Sequence, residues 1–150
     1  MGIAKQKNLI VIVGPTAIGK TGLSIQLAKH YNCEIVSADS RQFYKEMSIG
    51  TAKPTVDEMD GVPHHFINNI SIHETYSAGD FEKDVISLLK DLFRKHDTLI
   101  LVGGSGLFVN AVCYGFDDIP SNTEIRTQLI SEYEKNGIEP LQIELKNLDP

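Results

Sequence analysis

The sequence predicts an α/β protein built on a doubly wound parallel sheet, and three observations predict it. A continuous aliphatic run at residues 9–13 stops at Gly14, the pattern of a strand covered on both faces. A glycine-bearing loop, GPTAIGKT, follows at once and opens into residues at helical spacing. Strand-length apolar runs then alternate with helical patterns as far as Tyr114, the order in which helices cover both faces of a parallel sheet.

Residues 9–13 read as the first strand, central in the sheet. After the loop, Leu23, Leu27 and Tyr31 recur at helical spacing and predict a helix running out near Asn32. A second short strand is expected at residues 34–38. From Arg41 to Ser71 the chain is mixed and punctuated by Pro54, Gly61 and Pro63, so turns and short helices are expected there. Ser77 with Asp80 three residues on makes a capping box, and Phe81, Val85, Leu88, Leu89 and Leu92 follow on one helical face. The next buried strand is residues 98–102, which Gly103-Gly104 turns into a helix over residues 107–114. Past Gly115 the texture changes. FDDIPSNTEIRTQL reads as a linker into a polar helix capped by Ser or Asn, and Pro140 opens another, both with little apolar face. The expected division is a catalytic core at residues 1–115 and, at 116–150, the start of an inserted helical domain whose remainder is absent.

Composition bounds the function. The chain has 150 residues, 41% of them hydrophobic, enough for one ordinary core, and a net charge of −6. That charge gives no general attraction for nucleic acid, so any such binding needs a local basic face or residues outside this sequence. Cys33 and Cys113 show no metal or redox spacing and read as reduced thiols. The amino-terminal apolar run is short and flows into GPTAIGKT, which fits a first strand and not an export signal. Gln6 stands where a myristoylation pattern needs Ser or Thr. No apolar run is long enough to cross a bilayer, and the expectation is a cytoplasmic monomer without membrane contact.

Gly14, Pro15, Thr16, Ala17, Ile18, Gly19, Lys20 and Thr21 satisfy GxxxxGK[ST] at every fixed position, between a predicted strand and a predicted helix. The sheet is therefore expected to be of the P-loop NTPase-like kind. Glycines let successive amide N–H groups turn inward, and the helix dipole favours negative charge there. Lys20 adds a full positive charge, and the Thr21 hydroxyl is suited to a Mg2+ ion bridging two phosphates. The loop does not say which pyrophosphate it holds, ATP included. The later strand closes on Gly103-Gly104-Ser105 without a carboxylate, whereas Asp39 ends the second strand on the same rim as the loop. Such a carboxylate would hold magnesium, serve as a general base toward a hydroxyl or an amine, or simply cap a helix. Ser40, Arg41 and Gln42 carry donors and acceptors suited to base edges or phosphates, and taken singly each fits an ordinary loop.

Five blocks in order, GPTAIGKT, ADSRQFYKEMSIGTAKPT, PHHFIN, YSAGDFEKD and LVGGSGLFVNA, resemble the tRNA dimethylallyltransferase (isopentenyltransferase) family over essentially the whole chain. The resemblance implies that the donor is dimethylallyl diphosphate. It also implies that the acceptor is the exocyclic amine of the adenosine immediately 3′ of the anticodon, in tRNAs reading codons that begin with U. Carried over, residues 14–21 hold the diphosphate, Asp39 is the general base, Ser40, Arg41 and Gln42 face the target nucleotide, and Ser105 contacts substrate. Lys20 is then a catalytic cation, and Arg126 is a candidate tRNA contact that reads more readily as a solvated helix charge. The chain departs from the family's more frequent VGGTGLY: Ser105 keeps the hydroxyl without the methyl, and Phe108 lacks a phenol. The family also continues past residue 150, through further helices and a basic segment.

Rival readings are an ATP-dependent small-molecule or nucleotide kinase, an idle RNA-binding module that kept the loop, and an adenylate isopentenyltransferase acting on free nucleotide. The helical insertion favours tRNA over free nucleotide. His64-His65 and the scattered His30, His73 and His96 lack zinc-site spacing and read as ordinary surface or hinge histidines. GGSGL is not a nucleophile elbow, since Leu107 takes the closing glycine position. Lys45 and Lys53 read as solvated loop charges or RNA phosphate contacts.

Overall fold

Four strands pair wholly in parallel, in the order β1-β4-β2-β3, in a computed structural model that describes residues 6–116 and 122–149. The elements are β1 (Asn8–Val13), α1 (Lys20–Tyr31), β2 (Ile35–Ser37), α2 (Val56–Met59), β3 (His64–His65), α3 (Ala78–Leu92), β4 (Thr98–Gly103), α4 (Gly106–Tyr114), α5 (Thr123–Asn136) and α6 (Glu139–Leu148). The chain divides into two compact units, Met1–Phe116 and Asp117–Pro150.

Within the first unit the core lies between β2, β4 and the helices. Ile35, Val36, Leu99, Ile100 and Leu101 are fully buried, as a strand covered on both faces must be. The α3 face is the one its sequence spacing predicts: Phe81, Val85, Leu89 and Leu92 are buried, and Leu88 packs against them. Its start is the predicted capping box, with the Ser77 hydroxyl accepting from the Asp80 amide and the Asp80 carboxylate from the Ser77 amide.

Two expectations are corrected, and the buried face of α1 is one that its apolar spacing does not report. Among the described residues β1 is an edge strand, paired only with β4, and Val13 is 61% exposed. The buried face of α1 is Ser24, Ile25 and Ala28, while Leu23 and Tyr31 are exposed and Leu27 is half-buried. That face lies against β1, β2 and β4, where Ile25 joins the core and the short side chains of Ser24 and Ala28 fit between helix and sheet. His64-His65 is neither hinge nor plain surface but the edge strand β3, half-buried and parallel to β2.

In the second unit, Asn122 caps α5 by accepting from the amides of Glu124 and Ile125, and Pro140 stands in the first turn of α6. The expectation of little apolar face holds poorly for α5, where Ile125, Leu129, Ile130 and Tyr133 form an exposed stripe at helical spacing.

Candidate active site

The parallel register brings three strand ends to one rim. Val13 of β1 pairs with Gly103 of β4, and Ser37 of β2 pairs with Val102. The loop after β1, the Gly104-Ser105 turn and the Asp39 turn therefore leave the sheet side by side, at the carboxyl ends where open α/β sheets bind ligands.

The loop has the shape its glycines permit. Gly19 sits at φ 95° and opens α1 without a side-chain cap, so its own position puts no side chain on the first-turn amides. Ala17, at φ 65°, carries a strained left-handed backbone that nothing in the sequence signals. Lys20 curls back so that Nζ donates to the Pro15 carbonyl at 2.7 Å.

Asp39 is placed by β2 and locked locally. The Ala38 amide donates to Val102 at 2.7 Å, drawing β2 so close to β4 that a Cβ on Gly103 would lie 2.3 Å from the Ala38 oxygen. Beyond that contact the Asp39 carboxylate accepts from the Arg41 amide at 3.1 Å, and its carbonyl accepts from the Gln42 amide at 2.9 Å. Ser105 joins the two turns: its Oγ accepts from the Ser40 amide at 3.1 Å and lies 3.2 Å from the Ser40 hydroxyl.

Two polar cavities flank this turn. One, of about 260 Å³, is lined by Thr16, Lys20, Thr21, Asp39, Gln42 and Gly103 among others. The other, of about 290 Å³, includes Gly14, Pro15, Asp39, Ser40, Arg41 and Ser105. Among the described residues Asp39 is the one carboxylate that lines these two cavities. Ala17 and Gly19 line the first, whereas Ile18 is exposed and lines neither. Arg126 lies on α5, exposed, in the other unit.

Sequence reasoning missed the wall facing the loop. Gly50 and Thr51 line the second cavity and Ala52 the first. The only sign of them was small residues in a stretch read as turns. Lys53, read as solvated or RNA-facing, is held inward instead, donating to the Tyr44 carbonyl at 2.7 Å and Asn68 Oδ1 at 2.6 Å. Burial pushes its pKa below the usual lysine value, and Glu46 acts against that shift. Beneath the site Phe43 stacks on Phe81 at 5.0 Å, and Phe108 meets both edge-on at 5.3 Å. Phe108 thus serves as a buttress that needs no phenol.

Thr21 and Asp39 give one cavity two hard oxygen donors, which suits a magnesium ion that keeps most of its ligands from phosphate and water. Among the described residues no group of three or more His, Cys, Asp or Glu side chains is arranged to hold a metal by itself.

Fold and site together define an α/β phosphate-loop protein with a carboxylate set beside its glycine-bearing loop. Residues 42–150 match the family model described as IPP transferase. The chain belongs to that family. It is 57% identical over 145 residues to a tRNA dimethylallyltransferase of Flavobacterium johnsoniae, covering 96% of this chain and 47% of that protein. A Christiangramia forsetii protein of the same name is 57% identical over 143 residues, 95% of this chain and 47% of its own length. Among solved structures, the full-length tRNA isopentenylpyrophosphate transferase of Bacillus halodurans superposes with a TM-score of 0.72 at 42% identity, covering 97% of this chain and 48% of that one. A eukaryotic dimethylallyltransferase acting on tRNA gives 0.72 at 33% identity over 81% of this chain and 31% of its own. The chain thus spans about half the length of the curated relatives it matches.

Proposed function

We propose that this chain carries the donor half of a tRNA prenyltransferase site, which moves a dimethylallyl group from dimethylallyl diphosphate to an adenosine amine. The acceptor is the exocyclic amine of the adenosine 3′ of the anticodon, presented by the anticodon stem-loop. The reading rests above all on one observation: Asp39 shares a cavity with Lys20 and Thr21, while its turn is tied to the Ser105 turn.

The reaction forms an N–C bond and breaks the allylic C–O bond, so negative charge grows on the departing diphosphate. Residues 14–21 hold it: backbone amides and Lys20 stabilise that charge where it develops. Thr21 and Asp39 would hold magnesium, which adds positive charge beside the diphosphate. The adenine amine is a weak nucleophile because its lone pair is delocalised into the ring, and Asp39 accepts its proton as the N–C bond forms. Ser40 and Arg41, at the second cavity, face the extruded nucleotide, and Ser105 holds the Asp39 turn against β4. Water must be kept out, since it would capture an allyl cation. The second unit, with Arg126 on α5, supplies tRNA backbone contacts. In this reading the protein works as a monomer in the cytoplasm; among the described residues no helix is long and apolar enough to cross a membrane.

The test combines calorimetry with mass spectrometry on the full-length protein. Dimethylallyl diphosphate with magnesium should bind ahead of ATP. An anticodon stem-loop should gain one dimethylallyl mass, and Asp39→Ala should slow that gain by about 10²- to 10⁴-fold. Preference for ATP would favour a kinase, and a full-rate Asp39→Ala would remove Asp39 from the chemistry.

A further inference from the structure

Gln42 lies three residues past Asp39 and is nearly buried, at 9% exposure. Its side chain is bonded on both ends. Oε1 accepts from the Ser37 hydroxyl at 3.1 Å, and Nε2 donates to the carbonyls of Thr51 at 3.3 Å and Ala52 at 3.2 Å. Two acceptors thus take both amide hydrogens. The main chain is engaged as well, since the Gln42 amide donates to Asp39 and its carbonyl accepts from Asn68 at 3.0 Å.

The stretch it grips needs gripping. Gly50 sits at φ 75° and Ala52 at φ 48°, a left-handed backbone that a non-glycine residue keeps only when its surroundings impose it. Ile49 is 97% exposed, so apolar burial does not pin the stretch at that point. Thr51 Oγ1 donates to Met47 at 3.1 Å, a local bond that shapes the turn without anchoring it to the sheet. Gln42 ties the carbonyls of residues 51 and 52, through Ser37, to the end of β2.

We infer that Gln42 is a positioning residue: its amide fixes residues 50–52, which wall the two cavities beside the phosphate loop, and it does not read the nucleobase. The inference deepens the prenyltransferase reading and rests on it only for its effect on turnover. With the wall loose, the donor loop keeps its own contacts while the acceptor nucleotide loses its confinement. The cost falls on transfer and not on diphosphate affinity.

The experiment is hydrogen exchange on the ligand-free full chain, comparing wild type with Gln42→Glu, Gln42→Met and the milder Ser37→Ala. Glu places an oxygen against two carbonyls, Met deletes the bonds at similar length, and Ser37→Ala frees the amide to turn. Amides of residues 48–53 should exchange about tenfold faster or more in the Gln42 variants and by a smaller factor in Ser37→Ala, with α3 and β4 protected as before. In the full-length protein, kcat for the stem-loop should fall about tenfold while the Kd for dimethylallyl diphosphate moves less than about threefold. Discrimination among purines at the acceptor position should stay as in wild type. Unchanged exchange at 48–53 in Ser37→Ala and in whichever Gln42 variant folds overturns the inference, as does relaxed purine discrimination. Faster exchange in a protein that prenylates no RNA would leave the wall inference standing and sink the functional reading instead.

Discussion

Gly103 and Gly104 are adjacent, and the sequence presents them as one turn, yet the structure asks different things of them. A Cβ at Gly103 meets the Ala38 backbone at 2.3–3.0 Å, whereas one at Gly104 meets only the Gly14 oxygen at 3.6 Å and Lys20 Nζ at 4.0 Å. Backbone cannot rotate aside as a side chain does, so Gly103→Ala must part β2 from β4. It should cost about 3 kcal/mol in urea unfolding. Gly104→Ala should cost well under 1 kcal/mol by the same measure, because its contacts are ordinary van der Waals ones. Equal losses would show that the β2–β4 approach is not what Gly103 permits. The phosphate loop and Asp39 were legible because local motifs carry them: GxxxxGK[ST] between strand and helix, and an acid after an apolar run. The Gly103–Ala38 approach and the Ser105–Ser40 bond join residues about 65 apart in sequence, and no spacing rule reports a contact of that span.

Among the elements, α3 was legible end to end, since both its capping box and its apolar stripe are written at fixed local offsets. The α1 helix was legible as a helix but not as to its face. Leu23, Leu27 and Tyr31 form the most apolar stripe available, yet the sheet side is taken by Ser24, Ile25 and Ala28. Ser24 also donates to the Thr21 carbonyl at 2.8 Å, which spares its hydroxyl the cost of burial without a partner. Ile25 supplies the apolar burial of that face, and the short side chains of Ser24 and Ala28 fit between helix and sheet. Ala28, 1% exposed, has no space to grow. Ala28→Leu should therefore lower stability by about 1–3 kcal/mol through overpacking. It should also weaken diphosphate binding, because α1 carries the loop on its first turn. Leu23→Ala, about half exposed, should change stability by no more than about 0.5 kcal/mol. Thermal denaturation of the two variants side by side decides which face is buried, and a larger loss for Leu23→Ala would reverse the assignment.

Across the whole first unit, the rim that carries the site has a counterpart at the amino ends of the strands, where a histidine–carboxylate cluster stitches the sheet. Glu34, just before β2, meets His65 Nε2 of β3 at 2.6 Å and His96 Nε2, ahead of β4, at 3.2 Å. Burial would raise the Glu34 pKa, but the hydrogen bonds and charge of the two imidazoles outweigh it and hold the carboxyl below its ordinary value. Beside it, burial pushes the His64 pKa below 6.5, with the charge of His65 adding to the shift and the bond to Val62 opposing it. The geometry agrees: Nδ1 faces the Val62 carbonyl at 2.8 Å, and Nε2 is buried without a partner among the described residues, so a proton there would have no acceptor among them. Both shifts act in the same sense. A histidine lowered in the fold takes up its proton first in the unfolded chain, so its stabilisation is present above pH 6.5 and drains away as pH falls below it. A carboxylate lowered in the fold gives stabilisation present above 4.5 and lost as pH falls through its folded value. Unfolding midpoints in urea should thus hold steady from about pH 8 to 7 and fall in two stages on acidification. His64→Leu should flatten the upper stage, and Glu34→Gln should make the lower one shallower while leaving the share of Glu46, Glu58 and Asp80, whose carboxyls are also held low by hydrogen bonds. A midpoint that rises between pH 7 and 5, or a Glu34→Gln variant that falls as steeply as wild type below pH 4.5, would show that the cluster does not couple the strand ends to protons in this way.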